Sequence, residues 1–207
     1  MVGLLYSKWR EEVMANEEHV RIVRQGTEAI AAWQETNPGL QLDLREADMQ
    51  RVHLERANLS GADLREANLR RAVLIYADLS AANLEGADLE WTDLRWADLL
   101  NTNLSGARLS RADLHKADMH GANLQYADLR DTNLEDANLQ TADMTESTLG
   151  HTRLLNADLR RVIGLTTMHH DSPSRIDEET LEKAGKLPRA FLEGCGVDQE
   201  TIDQYAE

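Results

Sequence analysis

From Leu44 to Leu159 every fifth residue is leucine or methionine without a gap, 24 positions with 21 leucines plus Met49, Met119 and Met144. Two residues before each stands a small side chain, alanine at 17 of the 24. Leu42, Val52, Thr92, Thr102, Thr132, Ser147 and Thr152 fill the others. The residue between is Asp or Asn at 19 positions. The unit reads Ala-(Asp/Asn)-Leu-x-x, as in Ala62-Asp63-Leu64-Arg65-Glu66 and Ala122-Asn123-Leu124-Gln125-Tyr126.

A period of five fits neither regular element. An α-helix would rotate these leucines by about 500° per repeat and spread them round every side. A continuous strand would alternate them between two faces. The pattern is satisfied if each pentapeptide forms one side of a polygon and the chain turns a corner after each leucine. Leucine and the small residue then point to the axis, and the other three positions face out. Leu64, Leu84, Leu104 and Leu124 become one stacked column of the core. Successive coils pair their backbones like neighbouring strands, about 4.8 Å apart, and each unit buries its face only by stacking.

The flanks follow other rules. In residues 16–36, Val20, Val23, Ala29, Ile30 and Trp33 form an apolar stripe that predicts a helix capped by Asn16 and stopped at Asn37-Pro38-Gly39. Residues 3–14 are expected to add a short helix. At the far end the repeat dies at Val162-Ile163-Gly164, where glycine takes the next leucine slot. The tail from 165 on predicts short helices around 177–185 and 199–205, with turns at Gly185 and Gly194. The expected organisation is an N-terminal helical cap over 1–41, a solenoid over 42–163 and a helical tail over 164–207.

Residues 42–161 resemble the pentapeptide-repeat family. The resemblance implies an all-β solenoid, a right-handed quadrilateral β-helix of about six coils, roughly 29 Å long at the strand spacing. Gly26 to Pro38 resembles the N-terminal caps common in that family. The string Pro173-Ser174, Thr180-Leu181, Pro188 and Phe191-Leu192-Glu193-Gly194-Cys195-Gly196-Val197 resembles a segment that follows the repeats in some bacterial members, several of which continue into an effector domain such as a Toll/interleukin-receptor-like domain. The tail is thus expected either to close the rod or to belong to the sensor-like part of a signalling protein.

Composition narrows the function. With 37 acidic against 22 basic side chains and a net charge of −15, the chain lacks the basic surface that nucleic-acid binding and anionic membranes require, so neither partner is expected. No run approaches the roughly 20 apolar residues of a membrane helix, and Val2 to Tyr6 is too short for a signal peptide, so a cytoplasmic protein is expected. Cys195 is the single cysteine, leaving no intrachain disulfide or thiolate zinc cluster.

Catalytic chemistry finds little support. Aspartate fills half of the positions just before the leucines. Carboxylate pairs can do acid–base work, but these recur in rows without a unique pocket and suit local backbone bonding at corners. His169-His170-Asp171 could offer metal ligands, although adjacent residues rarely converge on one ion. Cys195, between two glycines, has no assignable base. No enzyme activity, cofactor or metal is expected.

The surface remains. The side centred on Leu74 and Leu94 displays Ile75, Tyr76, Arg95 and Trp96, with Trp91 at the preceding corner and Lys116 one coil beyond Trp96. Tyr76 and Trp96 stand four pentapeptides apart in equivalent positions, so their rings should stack. Such a cluster has the composition of an interface hot spot, and it equally suits rings that cover one another and stiffen the rod. Another side carries an acidic row, Asp78, Asp98, Asp118 and Asp158. The leading expectation is a non-catalytic scaffold for an unidentified protein partner, monomeric or weakly dimeric. A second, implied by the family resemblance, is a DNA mimic that modulates a type II topoisomerase and protects it from quinolones. A third, resting on the tail, is a regulatory segment of a signalling effector.

Overall fold

The structure, a computed structural model, describes residues 15–207. The helix expected over 3–14 lies outside the described residues. From Asp43 to Ile163 each residue preceding a leucine slot pairs in parallel with its equivalent four pentapeptides further on, as in Asp43 with Asp63, Val73 with Asp93 and Asp143 with Ile163. Each circuit of the chain therefore has four sides. The paired residue bonds in both directions: the Asp63 N–H donates to Leu42 O at 2.9 Å and Asp63 O accepts from Leu44 N–H at 2.7 Å.

Only one residue per side pairs before the chain turns, so this stack contains isolated bridges rather than long ladders. Among the described residues the strands are β1 (Thr148–Leu149), β2 (Arg153–Leu154), β3 (His169–His170) and β4 (Arg175–Ile176). The small amount of strand follows from corner spacing, because a single pentapeptide cannot hold both a turn and a ladder.

The corners have one construction. The residue two past each leucine slot adopts positive φ in every repeat, from Glu46 (56°) to Arg161 (59°), with glycine there only at 61, 86, 106 and 121. The next N–H bonds back to the leucine carbonyl, as Ala62 N–H does to Leu59 O at 3.0 Å. This closes a tight turn with a left-handed third residue. Every Asp and Asn side chain before a leucine slot accepts, through Oδ1, the backbone N–H two residues on. That bond fixes the approach to the corners that follow Asp or Asn.

Inside, Leu64, Leu84, Leu104 and Leu124 are fully buried. Threonines in alanine slots are buried too, and each finds a carbonyl one coil earlier: Thr102 Oγ1 donates to Leu79 O at 2.8 Å and Thr132 Oγ1 to Leu109 O at 2.9 Å. A hydroxyl is therefore tolerated in the core because it is paired.

The N-terminal segment meets the open edge of the first coil. The helix expected over 16–36 is two, α1 (Glu17–Arg24) and α2 (Thr27–Thr36). The break falls at Gly26, whose φ of 99° is not helical. Asn16 caps α1, accepting from Glu18 and His19 N–H. First-coil backbone groups with no coil beneath them are satisfied from here: Arg24 donates to Asp48 O, Thr27 to Glu55 O and Gln34 to Asn58 O, while His19 Nδ1 accepts from Asp43 N–H. An edge that could pair with another chain is thereby occupied.

At the other end, backbone pairing outlasts the leucine repeat. Strand β1 pairs with β3 and β2 with β4, joining Thr148 to His169 and Arg153 to Arg175, one and then two positions beyond the register of the rod. Helices α3 (Glu178–Ala184), α4 (Arg189–Cys195) and α5 (Gln199–Tyr205) follow. Helix α4 is absent from the sequence expectation, and Gly194 lies inside it rather than in a turn. The His170 ring stands where a Gly194 Cβ would be. Gly196, in the left-handed region at φ 74°, ends α4 instead.

Candidate functional site

One corner column carries Arg56, Tyr76, Trp96, Lys116, Asp136 and Asn156, each one full coil from the next and each with positive φ. Their side chains form a continuous series. Arg56 lies over the Tyr76 ring at 5.6 Å, and the Tyr76 and Trp96 rings stack with centroids 5.8 Å apart at 24°. Lys116 Nζ sits 4.6 Å from the Trp96 ring centre on the next coil. Lys116 then approaches Asp136 at 3.9 Å, Asp136 accepts from Asn156 Nδ2, and Asn156 Oδ1 meets Lys183 of α3. The His115 ring packs edge-on against Trp96 at 6.4 Å. Coil stacking dictates this: the register places equivalent side chains one strand spacing apart, near the separation that stacked rings prefer.

The opposite corner of the same side carries Arg51, Arg71, Trp91, Arg111 and Asp131. Arg111 lies over the Trp91 ring at 5.1 Å and within 3.7 Å of Asp131. Trp91 has no ring contact with Trp96 among the described residues; the two stand at opposite ends of one side. The three aromatics expected in one cluster are thus a stacked pair and a separate tryptophan. Between them Arg95 makes a two-point bond to Asp93, at 2.8 and 2.7 Å, which raises the Arg95 pKa above its ordinary value. Val73 and Ile75 lie half-buried one coil earlier. Tyr76, Trp91 and Trp96 are 50%, 48% and 46% exposed.

On the neighbouring side Asp78, Asp98 and Asp118 pair through their backbones in sequence. None has a cationic partner among the described residues. Asp78 accepts from the Ser80 hydroxyl, Asp98 from Leu100 N–H, and Asp118 from Asn138 Nδ2. Asp158 stands apart from this row, beyond Asn138. The Arg160 guanidinium holds its carboxyl below the usual carboxylate range.

Other candidate chemistry is dispersed. His169 Nε2 lies 3.0 Å from Glu146, Asp171 pairs with Arg130 at 3.1 Å, and His170 packs against Phe191. The three adjacent residues therefore face three different partners. The one group of potential metal ligands among the described residues is His115, Glu135 and Asp136, with ligand atoms within 4.8 Å of one another. Arg153 already pairs with Glu135, and Lys116 and Asn156 with Asp136. Sequence reading missed this group because its members meet only through the coil register. Cys195 is buried at the end of α4, and desolvation pushes its pKa up to about 12. No described helix is long and apolar enough to cross a membrane.

Comparison with known proteins matches residues 41–74, 53–90, 87–125 and 122–161 to pentapeptide repeats, in 8 copies. Among solved structures, HetL, a pentapeptide repeat protein involved in heterocyst differentiation regulation in the cyanobacterium Nostoc sp. strain PCC 7120, is 32% identical. The alignment covers 66% of this chain and 68% of HetL, with a TM-score of 0.30. A trypsin-treated variant of QnrB1, a plasmid-mediated fluoroquinolone resistance protein, is 16% identical over 73% of this chain and 84% of its own, with a TM-score of 0.55. A pentapeptide repeat protein of the Arabidopsis thaliana thylakoid lumen is 27% identical over 61% of this chain and 79% of its own, with a TM-score of 0.33. No curated protein matches the chain in sequence.

Proposed function

The chain belongs to the pentapeptide-repeat family, whose members fold as right-handed quadrilateral β-helices, and on that premise we propose that it is a non-catalytic scaffold for protein–protein interaction. The rod has about six coils between helical ends and works in the cytoplasm. Its docking surface is the side bounded by Tyr76 and Trp96 on one corner and Trp91 on the other, with Ile75, Arg95 and Lys116.

The observation that carries this reading is the exposure of three large rings, held rigid by flanking cations, on a molecule with only nine aromatics. Rigid aromatic edges lose little entropy on binding, which is why such residues dominate interface energetics. The described carboxylates mostly serve corners or ion pairs, which supports a role without acid–base chemistry.

Affinity capture from native lysate with wild type and Trp96→Asp tests the reading. Selective loss of one captured protein in the variant is the expected result; identical captures would remove the patch from the account. Aspartate already occupies the equivalent corner slot at Asp136 with φ 60°, so the corner backbone accepts the substitution.

A second reading rests on the Asp78, Asp98 and Asp118 row, three stacked carboxylates without cations among the described residues. They give one side the charge of a polyanion and support imitation of DNA toward a type II topoisomerase. Gyrase supercoiling with excess protein, with and without quinolone, tests it: protection of supercoiling supports mimicry, and an unchanged reaction removes it.

A further inference from the structure

The proposed docking side departs from the charge of the whole molecule. Within residues 51–56, 71–76, 91–96 and 111–116, this side and its corners carry Arg51, Arg56, Arg71, Arg95, Arg111 and Lys116 against only Glu55, Asp93 and Asp113. Asp131 and Asp136 on the next coil offset Arg111 and Lys116, and Asp93 offsets Arg95, so in a chain of net charge −15 the positive excess lies at the Arg51, Arg71 and Arg56 end of this side, beside the Tyr76 ring.

Three of these cations have no carboxylate partner among the described residues. Arg51 and Arg71 make no ion pair or side-chain hydrogen bond there, and Arg56 contacts only the Tyr76 ring. Arg51 and Arg71 occupy the same corner column on successive coils, joined by the Arg51 N–H to Arg70 O bond of 2.9 Å. Like charges stacked in register destabilise a sheet edge unless an anion lies between them. Several arginines elsewhere on the rod are neutralised in place, Arg65 by Asp63, Arg130 by Asp128 and Arg160 by Asp158, while Arg161 at the far end has no carboxylate partner among the described residues.

We propose that this side binds a short acidic protein segment carrying an apolar anchor. The inference rests on the docking role proposed above and names the partner's chemistry. Carboxylates of the segment bridge Arg51, Arg71 and Arg56, and its apolar side chain packs on Val73 and Ile75 beside the Tyr76 edge. Four coil levels span roughly 14 Å, the length of about four or five extended residues. A long polyanion such as duplex DNA or RNA overruns this patch onto the acidic row of Asp78, Asp98 and Asp118 around the corner and is repelled.

The test is selection of binders from a displayed library of random twelve-residue peptides. Baits are wild type, the double variant Arg56→Glu/Arg71→Glu, and Trp96→Asp. Glutamate already stands at equivalent corners in Glu46 and Glu66, and circular dichroism verifies each fold. Wild type is expected to enrich peptides rich in Asp and Glu with an aliphatic or aromatic residue. Their affinity should fall at least tenfold in the double variant and severalfold between 50 and 300 mM salt. Binders without acidic enrichment, binders the double variant holds equally well, or preferential capture of duplex DNA would each overturn the proposal. Non-acidic binders that still depend on Trp96 would leave the docking surface standing and remove only the acidic class. Binders independent of Trp96, or no binders at all, would remove both.

Discussion

Tyr76 and Trp96 lie one coil apart with ring centroids 5.8 Å apart, and each ring's other face is covered by a cation, Arg56 and Lys116 respectively. Only the edges of these rings are therefore left open to a partner. The stack itself adds modest stability, since an aromatic pair contributes about 0.5–1.5 kcal/mol beyond its buried area. Trp96→Ala is expected to cost about 1 kcal/mol, read as a small shift in the denaturant midpoint. A loss above about 3 kcal/mol would mean that the column is structural before it is functional.

The axis behaves otherwise. Leu104 is fully buried in a stack with no slack, so Leu104→Ala should cost about 3 kcal/mol from lost transfer energy and a cavity. Thr102→Ala removes only the hydroxyl bond to Leu79 O, a carbonyl that still accepts from the Ala82 N–H, and should cost about 1 kcal/mol. Chemical denaturation of both variants checks the ordering.

Corner strain predicts a reversal of the usual glycine rule. Ala81 has φ 54°, a conformation that costs a non-glycine residue about 1 kcal/mol. Ala81→Gly relieves it and should leave stability unchanged or slightly raised, whereas the same change at an exposed helical alanine lowers it by about 1 kcal/mol. A clear fall in melting temperature would contradict the left-handed corner.

The tail should loosen in acid. His170 packs against Phe191 and Gly194, both ring nitrogens are buried without partners, and desolvation followed by the His169 charge lowers its pKa. A depressed histidine stabilises the fold fully above its unfolded value near 6.5, and that contribution declines as pH falls through this value toward the folded pKa. Cys195, on the same helix as Phe191, should react with a thiol reagent slowly at pH 7.5 and faster at pH 5.5 once rates are corrected for thiolate fraction. Replacing His170 with Phe should abolish that acceleration. An equal acceleration in the variant would assign the opening elsewhere.

How much of this was readable varies with the source of order. The pentad alone fixes the axis, because Leu64, Leu84, Leu104 and Leu124 can share one environment only if the chain turns once per pentapeptide. Four such turns per coil place Tyr76 over Trp96. The same register predicts the neighbours of every outward side chain, yet the His115, Glu135 and Asp136 group went unseen because no local motif marks it. The ends were less legible. Gly26 breaks a helix whose apolar stripe runs past it, since backbone conformation there outweighs periodicity. Helix α4 contains Gly194, an ordinary turn signal, and the reason for glycine there, the His170 ring standing where a Cβ would be, comes from a distant segment. The coil that β3 and β4 extend slips out of the rod's register and has no leucine slots, so nothing periodic announces it.

The central claim is that the aromatic side of the rod is its working surface. Capture from native lysate with wild type and Trp96→Asp in parallel, quantified by mass spectrometry, tests it most directly. One protein is expected to be retained by wild type and lost at least tenfold from the variant, with both baits equally folded. Equal retention of every captured protein would contradict it.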